Sequence, residues 1–197
     1  MSVTYLKTFV NPPPWPVWYN GSRAMNGTLT ALLVLGGLAK AAVATYALSD
    51  ILHMTATKDA AFEEARSLSN GKGIINIGCG PHRTYQAQVI AEHPEVLVNL
   101  DIALNGMPHF IQLDVERETL PFADKQFGCT FSSHVLEHLD NWQFALGEMV
   151  RVADYVVVVL PHPGYFSGWV WPSHRQHFLR DDIERMVELY PNVEVYY

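Results

Sequence analysis

Beyond residue 72, short apolar runs alternate with amphipathic segments, and this alternation limits the fold more than any other feature of the sequence. We predict strands over 73–77, 96–100, 110–113, 128–132, 155–160 and 193–197, and helices over 84–92, 142–152 and 181–189. The unbroken valine run 156–159 is typical of a parallel strand that is covered on both faces. The pattern therefore predicts an α/β fold, a mostly parallel sheet with helices on both faces.

The charge of the chain limits its partners. The formal net charge is -7 and no run of basic residues is present. Because affinity for nucleic-acid backbones depends on lysine and arginine, we do not expect nucleic acid as a partner. Cys79 and Cys129 are too few for a disulfide framework and lack metal-site spacing, so we predict buried thiols in a reducing compartment.

An N-terminal extension, residues 1–55, precedes the predicted domain, residues 56–197. Its segment 27–48 is apolar, with Lys40 as the only charge, and as a helix would be about 33 Å long, enough to span a bilayer. Two interpretations stay open: a membrane anchor, or a helix packed on the domain as a core element or lid. An anchor would make the protein membrane-associated with a cytoplasmic C-terminal domain, and a packed helix would make it cytoplasmic. A second helix is predicted over 56–70 and ends at Asn70-Gly71.

A glycine-rich bend follows the first predicted strand. Gly78 and Gly80 allow a tight turn and close approach of a ligand at the carboxyl end of that strand. Asp101 ends the second strand, near the spacing of about 20 residues at which an acid binds ribose hydroxyls in Rossmann-like sheets. Pro81 lacks an N–H, and Arg83 replaces the third glycine of the dinucleotide fingerprint. The bend therefore favours a ligand without a phosphate at this point.

Several motifs in the same order resemble those of class I S-adenosylmethionine-dependent methyltransferases of the small-molecule type. They are residues 76–81 (Asn-Ile-Gly-Cys-Gly-Pro), Asp101, residues 113–115 (Leu-Asp-Val), 120–127 (Leu-Pro-Phe-Ala-Asp-Lys-Gln-Phe) and 131–138 (Phe-Ser-Ser-His-Val-Leu-Glu-His). The resemblance covers about residues 70–190 and implies a Rossmann-like fold and S-adenosylmethionine as cofactor. It implies as cofactor-binding residues Gly78, Cys79, Gly80, Asp101, Ile102, Asp114, Val115, Ser132 and Ser133.

A base is needed only where the methyl acceptor is a hydroxyl or a protonated amine. The histidines that follow predicted strand ends are the candidates: His134, His138, His162, His174 and His177. His134 is the predicted catalytic residue, because the position after the fourth strand commonly faces the donor in the family. The histidines lack tight ligand spacing along the chain, so no metal site is predicted.

The sequence also departs from the family pattern. Gly128 stands where the family usually has aspartate, the turn before the fifth strand is shortened, and the sheet is predicted to be truncated at its C-terminal edge. An exposed edge favours a homo-oligomer or a partner subunit that covers it. Two functions therefore stay open. One is methyl transfer to a small-molecule or lipid-like acceptor, and the other is a non-catalytic subunit of a membrane or multi-protein assembly.

Overall fold

A computed structural model describes residues 28–80, 85–104, 106–162 and 172–197, without the side chains of 28–36, 39, 47, 50, 51 and 85. Its strands are β1 (Ile74–Ile77), β2 (Val96–Asp101), β3 (Phe110–Gln112), β4 (Phe127–Ser133), β5 (Ala153–Val159) and β6 (Val193–Tyr196). They form one sheet in the order β3-β2-β1-β4-β5-β6, and every pair is parallel. The predicted Rossmann-like architecture is confirmed.

The helices are α1 (Thr28–Ser69), α2 (Tyr85–Ala91), α3 (Trp142–Val152) and α4 (Arg180–Leu189), with a short 3-10 helix over Leu136–His138. The two helices predicted N-terminal to β1 are one continuous helix of 42 residues, because residues 49–55 contain neither glycine nor proline to stop it. Asn70 and Gly71 end it in left-handed conformations, as predicted. The proposed boundary between residues 55 and 56 lies inside this helix.

The membrane interpretation of the segment 27–48 receives no support from the fold. Within the part of the chain that the structure describes, no helix is long and apolar enough to cross a bilayer.

Helices cover the sheet on both faces. On one face, Ala61, Phe62 and Ala65 of α1 pack against a cluster that includes Phe131 and Val157. The opposite face is covered by α3 and α4, whose buried side chains include Leu146, Met149, Ile183 and Met186. Burying one large apolar side chain contributes about 1.5–3 kcal/mol, so the second half of α1 is part of the core.

Gly128 has a packing role that the sequence did not reveal. It is buried at the start of β4, where a Cβ would lie 1.8 Å from the carbonyl oxygen of Ser69, the last residue of α1. The absence of a side chain therefore lets the end of α1 lie against the sheet. The departure from the family pattern at this position has a structural cause and does not by itself indicate lost activity.

Arg151 stabilises the segment before β4 through several hydrogen bonds. Its guanidinium donates to both carboxylate oxygens of Glu148, to the carbonyls of Leu120 and Phe122, and to Asp124. The bond from Arg151 is also the main reason why the pKa of Glu148 is lowered. β5 starts directly after α3, so the shortened turn predicted from the sequence is confirmed.

Both cysteines are buried, as predicted, and the protein holds them as free thiols. Burial raises the pKa of Cys129 to about 12, which makes its thiol unreactive at neutral pH. The proline-rich segment 11–16 and the aromatic residues Tyr165, Phe166, Trp169 and Trp171 lie outside the described residues.

Candidate functional site

A cleft of about 370 Å³ opens at the carboxyl ends of β1, β2 and β4. This is the edge at which open α/β sheets bind ligands, beside the point where the strand order reverses between β1 and β4. Its wall contains most of the predicted site residues: Gly78, Gly80, Asp101, Ile102, Asp114, Val115 and His134. It also contains residues that were not among the predicted site residues: Leu100, Leu113, Glu116, Val135, Leu139 and Arg175, together with His138, a candidate base.

The glycine bend after β1 is required by both conformation and space. Gly78 and Gly80 have φ angles of 71° and 70°, a region that side chains disfavour. A Cβ on Gly78 would lie 2.1 Å from Cγ2 of Val135, whereas a Cβ on Gly80 would meet no atom of the described residues within 4 Å. Gly78 therefore lets the segment after β4 approach, and Gly80 leaves open space beside the cleft.

Asp101 turns its carboxylate towards this bend. One oxygen accepts a hydrogen bond of 2.8 Å from the backbone N–H of Gly80, and the other accepts one of 2.9 Å from the N–H of Ala103. A carboxylate offers about four lone-pair positions, so further donors can still bind. Asp101 is thus placed to receive vicinal hydroxyl groups from a ligand that lies along the glycines.

Asp114 lies across the cleft, directly after β3. Its carboxylate accepts from the N–H of Glu116 at 3.0 Å, and its own N–H donates to Glu118 at 3.0 Å. The side chains of Leu100 and Leu113 lie nearby in the cleft wall. Apolar walls with a polar edge suit a flat heterocycle with an exocyclic amine.

His134 follows β4 directly and has a φ of 56°, which is uncommon for a residue with a side chain. Its Nδ1 lies 3.1 Å from Oε1 of Glu137, a residue only 1% exposed. Because a carboxylate only accepts, Nδ1 is the donor in this bond, and Nε2 is the nitrogen that points away from Glu137. Nε2 is buried and has no hydrogen-bond partner among the residues that the structure describes.

Residues 75–154 match a family model whose description is a methyltransferase domain. This match supports the class I S-adenosylmethionine-dependent methyltransferase family, which the sequence motifs resemble. The matched range contains the glycine bend, Asp101, Asp114 and the pair of His134 and Glu137. Neither the curated proteins nor the solved structures give a match to the chain.

Lys58 of α1 interacts electrostatically with Glu137. The helix ends at Ser69 beside the start of β4, so Lys58 lies about 16 Å back along the helix axis, near the carboxyl end of the sheet. Burial lowers the pKa of Lys58, although the charges of Asp59 and Glu137 act to raise it. The N-terminal helix therefore contributes a partly buried amine next to Glu137.

Three predicted cofactor residues lie beside the cleft and not in its wall. Cys79 is buried against Ala91 and Met107. Ser132 is fully buried on β4, Ser133 follows it, and both hydroxyls have no hydrogen-bond partner within the described ranges. Their assignment to the cofactor stays a prediction.

The other candidate bases take different positions. His162 packs against the rings of His53 and Tyr197, and His177 is exposed. His138 and His174 contact each other, with their ring centroids 4.9 Å apart. Glu137, which positions His134, was not predicted as a site residue. The one sequence feature that could have indicated it is its place three residues after the predicted base.

Proposed function

We propose that the protein transfers a methyl group from S-adenosylmethionine to a small-molecule or lipid-like acceptor bound in the cleft. The observation that carries this proposal is one arrangement: the glycine bend, the carboxylate of Asp101 and His134, which pairs with the buried Glu137, meet at the wall of a single cleft. The family match supports methyl transfer as the class of reaction.

The residues present fit the donor. Gly80 leaves space in which the amino-acid part of the donor can lie along the backbone. Asp101 would accept from the ribose hydroxyls, and Asp114 with Val115 would hold the adenine. Pro81 lacks an N–H, and Arg83 stands in place of the third glycine of the dinucleotide fingerprint, so the bend favours an adenosyl donor over a dinucleotide.

The chain contributes positioning and proton transfer. When bound, S-adenosylmethionine supplies a methyl group already activated by its sulfonium. The cleft aligns the acceptor with that methyl group and excludes water. Nε2 of His134 takes the proton from an acceptor hydroxyl or ammonium, and Glu137 stabilises the imidazolium that forms, as a buried carboxylate does in a catalytic triad.

Replacing Asp101 with alanine is expected to weaken S-adenosylmethionine binding by about 1–3 kcal/mol, because charge-assisted hydrogen bonds to the ribose are lost. Isothermal titration calorimetry on the full chain measures this effect. Asp181→Ala, an exposed acid in the first turn of α4, is the matched control and should bind like the wild type. Unchanged affinity in Asp101→Ala would remove this residue from the site. A wild-type chain that binds no donor would instead support the non-catalytic subunit.

Replacing His134 with glutamine is expected to lower kcat about 10²–10⁴-fold, the usual contribution of a general base. The acceptors are a panel of phenols, carboxylates and amines, and the readout is radiolabelled methyl transfer over a range of pH. The donor affinity should stay the same. His177→Gln is the control on an exposed histidine. An unchanged kcat in His134→Gln would rule out the base.

A further inference from the structure

Glu137, His138 and His174 form a cluster at the rim of the cleft. One ligand atom from each of the three lies within 4.8 Å of the others. His138 also lines the cleft, whereas Glu137 is buried behind it. The residues come from two elements, the 3-10 helix after β4 and the segment that leads into α4, so their proximity is a result of the fold.

We propose that these three residues bind a divalent transition-metal ion such as Zn²⁺. Two imidazoles and one carboxylate form a ligand set that suits zinc and its neighbours better than magnesium or calcium. Three protein ligands also leave a fourth position open, as in catalytic zinc sites. That position would face the cleft, because His138 is part of the cleft wall.

The hydrogen bonds around the cluster prepare its ligand atoms. Nδ1 of His138 lies 3.0 Å from the carbonyl oxygen of Ser173. A carbonyl can only accept, so Nδ1 carries the proton and Nε2 keeps its lone pair for a cation. This carbonyl–histidine arrangement is the usual outer support of a metal-bound imidazole.

Glu137 gives the independent sign that a cation is expected. Oε1 is bound to His134, but Oε2 is buried and has no hydrogen-bond partner within the described part of the chain. A buried carboxylate oxygen without a donor is costly, and a bound cation would remove that cost.

The three proposed ligand residues need to move little to bind one metal ion. The backbone N–H groups of Arg175 and Gln176 donate to the carbonyl of Glu137 at 2.7 and 3.0 Å, which holds the segment carrying His174 against the 3-10 helix. Ligand atoms on one tetrahedral zinc lie about 3.3 Å apart, because each bond to the metal is about 2.0–2.2 Å long. Small side-chain rotations are enough to close the set.

The test is a titration of the full, metal-free chain with ZnCl₂ in the absence of S-adenosylmethionine, and a parallel titration with CoCl₂. We expect one equivalent of zinc to bind, and the cobalt form to show the visible absorption of a four-coordinate site. Binding should tighten as the pH rises, because the ligands must be deprotonated. MgCl₂ in large excess should not displace the zinc.

Variants separate this site from adventitious binding by the other histidines. His174→Asn and Glu137→Gln should each weaken zinc binding about 100-fold or more, since each removes one ligand. His177→Asn, in the same segment but outside the cluster, should have no effect. Absence of stoichiometric binding, or equal losses in His174→Asn and His177→Asn, would overturn the proposal. Asp101→Ala should keep its zinc affinity, so failure of the metal site and failure of donor binding are distinguishable.

Discussion

Replacing Gly128 with alanine is expected to destabilise the fold by about 3–5 kcal/mol, one of the largest effects that a single methyl group can have. The new Cβ would lie 1.8 Å from the carbonyl oxygen and 2.5 Å from the carbonyl carbon of Ser69. Backbone atoms cannot rotate aside, so the end of α1 must leave the sheet. The measurement is urea denaturation of the full chain, followed by circular dichroism.

Gly147 provides the matched control for this substitution. It lies inside α3, and a Cβ there would meet nothing within 4 Å. Gly147→Ala should be neutral or stabilise the helix by up to about 1 kcal/mol. If Gly128→Ala unfolds at the same urea concentration as the wild type, α1 does not pack against β4 in the way described.

Replacing Gly78 with alanine is expected to lower the affinity for S-adenosylmethionine about 100-fold or more, which corresponds to about 2.7 kcal/mol. Its Cβ would lie 2.1 Å from Cγ2 of Val135, in a backbone conformation with a φ of 71°. Because Val135 is β-branched and stiff, the bend itself must move, and the N–H groups that line the cleft move with it. Calorimetry with the donor measures the loss.

Two further variants separate the collision from the backbone strain. Gly71 has a similar φ of 77° and open space around it, so Gly71→Ala adds the strain away from the cleft and should leave donor affinity unchanged. Adding Val135→Ala to Gly78→Ala removes the colliding methyl group and should restore part of the affinity. Wild-type binding by Gly78→Ala would show that the bend does not hold the donor.

The strands and the glycine bend were predictable because their signals are local. An apolar run followed by a glycine pair describes β1 and its turn, and Asp101 ends β2 as expected. Parallel strands place their carboxyl ends at one edge of a sheet, so Asp101 and His134 had to lie near the bend once the strands were assigned. The cleft brings them together with Gly78 and Gly80.

The continuity of α1 was not predictable from the same kind of signal. Its apolar first part and its amphipathic second part have different hydrophobic patterns, which suggested two helices. The hydrophobic pattern of a helix indicates which of its faces are buried, whereas its end is set by residues such as glycine or proline that terminate the helical backbone. Reading the two parts as separate units therefore placed a boundary inside one helix.

Apolar periodicity and the turn residues were thus sufficient to predict the parallel α/β fold, the glycine bend and the edge of the sheet at which the cleft lies. Each of these features depends on neighbours along the backbone. Three contacts became known only from the tertiary structure. They are the packing of α1 against Gly128, the hydrogen bond between His134 and Glu137, and the ring contact between His138 and His174. The physical reason is that these contacts join residues or surfaces whose separation is set by side-chain packing and local backbone geometry, and no periodic pattern in the chain encodes such distances.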